Sequence, residues 1–305
     1  MAVLQQVLQY AMGAIMKKKM TVFDVINIIF MLLVLIVCIY PFYCLLISSF
    51  SDPKQAEGWF FIFPTNVSLN SYREIFGNNR ILQPIVISLS RAVIGTVITL
   101  VCCSMFAYLV TQKELPYRKG IYKFVVVTMY LNAGMIPWVI TMVTYGLKNN
   151  FFVYVIPTAM SAFYIILIKT YIEGIPAELE ESARMDGAGF FTTFFKIILP
   201  VSTPILGAVA MFSAVAQWNS WYDNLMLVQD NGLKTLQLML YQVIQNMNVV
   251  MNDPKTAGTA MVMNRPSILS VRSAIAMLTI IPVLAVYPFM QRYFTKGIMM
   301  GAVKG

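Results

Sequence analysis

Charged side chains are scarce in this chain, and histidine is absent. Lysine, arginine, aspartate and glutamate make up 11% of the 305 residues, whereas hydrophobic residues make up 59%. A soluble domain averages about 25% charged residues, so this chain has too few to cover a water-facing surface. The mean hydropathy of +0.72 agrees with this. The composition therefore indicates a membrane protein whose solvent is mostly lipid.

The lack of histidine also narrows the chemistry. The four cysteines, Cys38, Cys44, Cys102 and Cys103, all lie in long apolar runs and have no histidine with which to form a metal site. We interpret them as small apolar residues of membrane helices. No pair of acidic residues lies within an apolar run. We therefore expect no catalytic site and no metal site, which makes a membrane enzyme a poor interpretation.

Six uncharged runs are long enough to cross a bilayer, which takes roughly 20 apolar residues in a helix. They predict an all-α, polytopic membrane protein with six transmembrane helices. Because the first run is too long for a signal-peptide core, we expect it to remain as an anchor. The runs are Val25 to Ser51, Ala92 to Gln112, Phe124 to Leu147, Asn149 to Ile168, Ile197 to Tyr222 and Ser273 to Gln291.

A seventh uncharged stretch, Thr235 to Asn252, is rich in amide side chains. Six asparagine and glutamine residues are too many to leave in lipid. We expect this stretch to form an amphipathic helix outside the bilayer. It belongs to the second of two long external loops.

The net charge of +9 fits the positive-inside rule better than nucleic-acid binding, because the basic residues are dispersed around the apolar runs. The cluster Lys17 to Lys19 before the first span places both termini in the cytoplasm. Residues 1–24 fit a short interfacial helix and an unstructured terminus equally well. The expected plan is a cytoplasmic N-terminal segment 1–24, a permease domain 25–295 with external loops 51–82 and 223–272 and a cytoplasmic loop 169–199, and a tail 296–305.

The cytoplasmic loop holds the most informative pattern in the chain. Pro176 suits a first helical position, and acidic residues follow it in the first turns, where the helix dipole favours them. Glu180 and Glu181 are each spaced to reach Arg184. Gly187 then permits a sharp stop. The pattern predicts a short helix between the fourth and fifth spans.

At this point the sequence resembles a known family. Glu181-Ser182-Ala183, Gly187 and Ile197-x-Leu199-Pro200 match, at the right spacing, the E-A-A, G and I-x-L-P pattern of ABC importer permeases with the type I fold. Ser182 replaces the first alanine of that pattern. In the family this helix is the coupling helix, which carries ATP-driven motion into the membrane. The resemblance assigns ATPase coupling to Glu180, Glu181, Ser182, Ala183, Arg184, Met185, Asp186 and Gly187.

The resemblance extends along nearly the whole chain. Tyr40-Pro41-Phe42, Gly134-Met135-Ile136-Pro137 and Trp218-Asn219-Ser220-Trp221 are similar to binding-protein-dependent carbohydrate permeases, in particular those that import oligosaccharides and complex glycans in Gram-positive bacteria. The resemblance implies alternating access in the bacterial cytoplasmic membrane. A permease for a non-sugar solute such as a peptide is the alternative. A secondary transporter fits less well, because the spans lack buried ionisable residues.

The family also implies partners. No Gly-Lys dipeptide occurs, so the P-loop pattern is absent. We therefore expect no cofactor on this chain, with ATP–Mg bound by a separate cytoplasmic ATPase dimer. The family further implies a second, different permease subunit, an extracellular substrate-binding lipoprotein and membrane lipid around the spans, and no nucleic acid.

Polar and aromatic residues in the spans are candidates for the substrate pathway, because sugars offer hydroxyls to amides and carboxylates and apolar faces to aromatic rings. An interfacial aromatic belt with helix–helix hydrogen bonds explains the same residues. For Arg91, at the outer end of span two, we expect the side chain to reach the headgroups rather than line a cavity. The candidates are Asn132, Trp138, Tyr164, Gln217, Trp218, Asn219, Trp221, Tyr222, Asp223 and Asn224.

Five of the prolines in the predicted spans are expected to interrupt them. Because proline removes a helical hydrogen bond, we expect each of them to kink or break its span. They are Pro137, Pro157, Pro204, Pro282 and Pro288.

Overall fold

The computed structural model describes residues 21–51, 67–77, 81–252 and 268–297. Within these ranges it is helical and contains no β-strand, only an isolated bridge between Ser51 and Val67. The all-α fold is confirmed. The helices are α1 (Val22–Phe50), α2 (Asn70–Gly77), α3 (Leu82–Thr111), α4 (Arg118–Tyr130), α5 (Met135–Thr144), α6 (Ala162–Ile172), α7 (Ala177–Met185), α8 (Phe190–Val201), α9 (Thr203–Asn219), α10 (Tyr222–Leu227), α11 (Leu236–Asn252) and α12 (Ile268–Gly297).

The first span begins three residues earlier than its charge-free run. Thr21 caps α1 by accepting a hydrogen bond from the Asp24 backbone, and the Asp24 carboxylate accepts one from the Thr21 backbone at 2.9 Å. This reciprocal capping box explains why an acidic residue fits in the first helical turn. The expected interfacial helix lies mostly in residues 1–20, outside the described part of the chain.

Helix α3 lies at the centre of the bundle. It packs against α9 and α6, while α12 packs against α1 and α9. One apolar cluster around Tyr108 joins α3, α6, α8 and α9, and a second around Trp218 joins α2, α9, α11 and α12. By contrast, α1 buries only Ile47 and Ser49, so most of its apolar surface faces away from this chain.

Three described helices are long and apolar enough to cross a membrane: α1, α3 and the Ser270–Pro288 part of α12. Two further candidates are bent pairs, with 118° between α4 and α5 and 81° between α8 and α9. Counting each pair as one span gives five, and α6 is a shorter apolar helix. The count of six therefore stays a prediction.

The uncharged runs suggested that spans three and four are continuous helices, but the structure interrupts both. Span three breaks at 131–134, where Asn132 accepts a hydrogen bond from the Gly134 backbone and Gly134 has a φ of 83°. The break precedes Pro137, which sits in the first turn of α5, where proline is tolerated. Span four is a 3₁₀ turn, Phe151–Tyr154, followed by turns through Pro157 and then by α6.

Two expectations about prolines had different outcomes. Pro204 lies in the first turn of α9, next to the bend at Ser202. Pro282 and Pro288, however, lie inside α12, which continues through both, so neither breaks the helix and a kink there stays a prediction. The amide-rich stretch does form a helix, α11, and the first external loop contains the short helix α2.

Candidate functional site

The short helix predicted between the fourth and fifth spans exists as α7, and Gly187 ends it. Pro176 was expected at the first helical position, but it stands at the N-cap, and the helix begins one residue later, at Ala177. Gly187 has a φ of 78°, a conformation that side chains with a Cβ rarely adopt. The chain then turns through Gly189 into α8, whose middle turn, Phe194–Ile198, is π-helical. The short helix is thus joined directly to the helix pair α8–α9.

Arg184 fastens α7 to the body of the protein. Its guanidinium donates to Glu180 at 2.9 Å, to the Gln112 side chain at 2.6 Å and to the Glu114 carboxylate. The expected ion pair with Glu180 is confirmed, whereas the structure pairs Arg184 with Glu114 where Glu181 was the second expected partner. Hydrogen bonding to Arg184 lowers the pKa of Glu114. Both side chains are largely exposed, so solvent screens the pair and it contributes little to stability.

Tyr108 makes a second attachment, near the C-terminal end of α3. Its hydroxyl donates to Glu180 at 3.0 Å. Its ring stacks on Phe190 at 4.9 Å and on Phe194 at 5.5 Å between centroids. Tyr108 therefore contacts both α7 and the helix that follows it.

One face of α7 remains uncovered. Glu181 and Ser182 are exposed, and the Met185 side chain is 88% exposed although it is apolar. Ala183, in contrast, is buried against this chain. The small side chain of Ala183 therefore serves packing within the chain, which leaves Ser182 as the small residue on the uncovered face.

Arg91 forms the centre of a buried polar cluster in the N-terminal third of α3. Only 1% of its surface is exposed. Nε donates to Gln217 at 2.9 Å, and Nη1 donates to the Ser220 carbonyl and to Asp223 at 3.2 and 3.0 Å. Nη2 pairs with the other Asp223 oxygen. The expectation that Arg91 reaches the headgroups was wrong, because Asp223 compensates its charge inside the protein.

The same cluster holds other candidate residues. The Arg91 guanidinium lies 4.7 Å from the Tyr154 ring centre. Asn224 is fully buried, donates to the Tyr154 hydroxyl and accepts from the Thr235 backbone at 3.2 Å. The hydrogen-bonding groups of Gln217, Asp223 and Asn224 are thus engaged within the chain, which gives these residues a structural role.

The remaining candidates divide by exposure. Trp218 is buried and donates from Nε1 to the Thr279 carbonyl on α12 at 3.0 Å. Asn219 is exposed, and Trp221 and Tyr222 are half-buried, with Trp221 stacked on Tyr241 at 4.1 Å. These three residues keep part of their surface exposed.

Three candidates lie apart from the Arg91 cluster. Asn132 shapes the break between α4 and α5, and Tyr164 packs on the apolar cluster around Tyr108. The Trp138 ring lies 6.3 Å from Tyr222, so it alone of the three joins the half-exposed aromatic group.

The sequence analysis did not identify several residues that hold α7 or that belong to the polar cluster around Arg91. Tyr108 and Gln112 are spaced four residues apart at the end of an apolar run, and Glu114 is an acid in a basic loop. Those features were the available signal. Tyr154 and Thr158 carried no local signal, because only the fold brings them to Arg91 and Gln217. Among the residues that the structure describes, no three His, Cys, Asp or Glu side chains lie close enough to hold a metal ion.

Long apolar helices, two bent helix pairs and a short helix clamped between two of them are typical of a polytopic membrane transport protein. No family model matches the sequence. The chain is 32% identical over 288 residues to the polygalacturonan/rhamnogalacturonan transport system permease protein YtcP of Bacillus subtilis strain 168, covering 94% of this chain and all of that protein. It is 33% identical to protein LplC of the same strain, covering 93% and 95% of the two chains.

A solved structure gives the same answer for the fold. The chain matches a bacterial ABC transporter involved in import of the acidic polysaccharide alginate, with a TM-score of 0.81 and 30% identity, over 90% of this chain and 96% of that chain. The chain therefore belongs to the permease subunits of carbohydrate ABC importers.

Proposed function

We propose that this chain forms half of the translocation pathway of an ATP-driven importer and takes an oligosaccharide across the cytoplasmic membrane of a bacterium by alternating access. The geometry of α7 carries the proposal. This helix presents an uncovered face, is fastened at Arg184 and Tyr108, and continues through Gly187 into α8. A short, firmly joined helix of this kind suits a lever that moves the spans.

The chain needs partners for this activity. A cytoplasmic ATPase dimer supplies the energy and holds ATP–Mg, so this chain is a transport subunit and not an enzyme. A second, different permease completes the pathway, and an extracellular binding lipoprotein delivers the sugar. Both termini lie in the cytoplasm. Six spans fit this arrangement, with α6 and the turns before it as the fourth.

The docking face for the ATPase is the exposed side of α7. Glu181, Ser182 and Met185 lie at i, i+1 and i+4, so they share one side of the helix. Met185 leaves an apolar side chain in water, which is unfavourable until a partner covers it. We therefore assign Met185 to the centre of the contact and Glu181 to its polar edge.

Purification of the assembled complex tests this docking face. Met185→Glu should lower the amount of ATPase subunit that copurifies with the permease, because it places a charge in an apolar contact. Glu173→Gln is the matched control, since Glu173 is exposed on the same cytoplasmic loop but pairs with Lys169. Equal copurification of the Met185→Glu variant and the wild type would refute the assignment.

The cargo proposal rests on the relatives. The relatives are named for polygalacturonan and rhamnogalacturonan transport and for alginate import, so we propose an oligosaccharide released from a polysaccharide of this kind. Uptake of labelled oligogalacturonides and oligoalginates, compared with a neutral oligosaccharide and a dipeptide, tests the class. Competition by the dipeptide alone would support the peptide alternative instead.

A further inference from the structure

Helix α3 is held by polar contacts at both ends. At its cytoplasmic end, Tyr108 and Gln112 bind residues of α7. At its outer end, Arg91 binds the segment that follows the body of α9, residues 217–224, which we call the outer segment. The same helix thus contacts the proposed ATPase lever and the segment that carries most of the candidate pathway residues.

The outer contact is strong because the arginine is buried. Four donor contacts leave Arg91 for three residues of the outer segment, and both Asp223 oxygens accept from it. A buried charge that loses its partner is left unsolvated, which is strongly unfavourable. The outer segment therefore cannot move away from α3 without a large penalty.

Helix α3 is suited to carry motion between these contacts. Arg91 and Tyr108 are 17 positions apart, which is about 26 Å at 1.5 Å per residue. No proline lies between them, and the helix is continuous from Leu82 to Thr111. A continuous helix has no soft hinge to absorb a displacement.

The covalent path from α7 to the outer segment is less rigid. It runs through α8 and α9, which meet at an angle of 81° around Ser202, and α8 contains a π-helical turn. Bends and π-turns are places where a helix can flex. The non-covalent path through α3 avoids both.

We propose that α3 carries the movement of α7 to the outer segment, and that Arg91 is the positioning residue that couples the two. The inference rests on the proposed function, because α7 must receive the ATPase. Arg91 binds no sugar in this scheme. Its role is to make the outer segment move as one body with α3.

The test uses the complete complex in proteoliposomes and measures sugar transported per ATP hydrolysed. The double variant Arg91→Met/Asp223→Leu removes both charges together, so neither is left buried and unpaired. We expect at least a fivefold drop in sugar per ATP, with subunit assembly and basal ATP hydrolysis changed less than twofold. Ser104→Ala, which removes only a contact within α3 to the Val101 carbonyl, should leave the ratio unchanged.

Two results separate the hypotheses. If the wild-type complex does not hydrolyse ATP in response to sugar and binding protein, the proposed function fails. If the wild type is coupled and the double variant keeps the wild-type ratio, only the role of Arg91 fails.

A second measurement does not depend on the double variant folding. After the four native cysteines are replaced, spin labels are placed at Leu82→Cys on α3 and at Met226→Cys on α10, both exposed positions. They report the distance between α3 and the helix that contains the end of the outer segment. We expect this distance to stay within about 2 Å when ATP is bound, since the linked elements move together. A larger change would overturn the proposal.

Discussion

Gly95 of α3 lies directly under the side chain of Gln217 on α9. A Cβ atom at position 95 would come within 2.6 Å of Gln217 Nε2 and 2.8 Å of Cδ. The Gln217 side chain cannot swing away freely, because it accepts from Arg91 and donates to the Thr158 hydroxyl at 2.6 Å. The close approach of α3 and α9 therefore requires glycine at this position.

Gly95→Ala should destabilise the protein by about 1–3 kcal/mol, the usual range for overpacking. Gly120→Ala is the matched control, since a Cβ there meets nothing within 4 Å and alanine favours the helix. Thermal unfolding in detergent should show a lower midpoint for Gly95→Ala only. An equal midpoint for both variants would mean that Gln217 moves without penalty.

The end of α7 offers a second glycine pair. Gly187 has a φ of 78°, whereas Gly189 has a φ of −74° that any residue adopts, and a Cβ at either position meets open space. Gly187→Asp should strain the backbone by roughly 1–2 kcal/mol and uncouple transport, while Gly189→Asp adds the same charge without this strain. Both proteins should reach the membrane.

Comparison of uptake by the two aspartate variants decides this point. Loss of uptake in Gly187→Asp alone ties the effect to the backbone turn. Equal loss in both would assign it to the added charge instead.

The pKa of Glu114 depends on its contact with Arg184, so it indicates whether α7 is attached at this point. Because Arg184 lowers the pKa of Glu114, the pair stabilises the attachment above the ordinary glutamate pKa of about 4.3 and loses that effect as pH falls through the lowered value. A carboxyl ¹³C titration should place the Glu114 midpoint below the ordinary value. Arg184→Gln should raise it, and Lys169→Gln should not.

Asn132 distinguishes a turn former from a sugar ligand. Its side chain accepts a hydrogen bond from the Gly134 backbone at 2.8 Å in the turn between α4 and α5. Asn132→Ala removes this hydrogen bond, so it should lower the free energy of unfolding by about 1 kcal/mol. Asn132→Ser keeps a local acceptor and should restore most of the stability. A variant series in which stability is constant while the KM for sugar rises would instead place Asn132 in the pathway.

Local patterns in the sequence predicted helix α7 and the turn that ends it. The spacing of Glu180 and Arg184 and the glycine at 187 predicted a short helix with a sharp stop, and the structure has both. Uncharged runs predicted apolar segments correctly but could not tell a continuous helix from a bent pair. The break at Asn132 and Gly134 depends on local turn geometry that hydropathy does not measure.

The buried polar cluster around Arg91 could not be predicted from the sequence, for a different reason. Arg91 and Asp223 are 132 positions apart, and only the packing of α3 on α9 brings them together. An arginine near the end of an apolar run is normally expected to reach the headgroups. Its buried partner lies in a segment whose mixed aromatic and amide composition pointed to a sugar site instead.

Uptake by the reconstituted complex tests the central claim most directly. The chain, purified with ATPase, second permease and binding-protein subunits, is placed in proteoliposomes, and labelled oligosaccharide uptake is followed with ATP or a non-hydrolysable analogue. We expect uptake only with ATP and its loss in Gly187→Asp. Equal uptake with ATP and the analogue, or undiminished uptake in Gly187→Asp, would contradict ATP-driven coupling through α7.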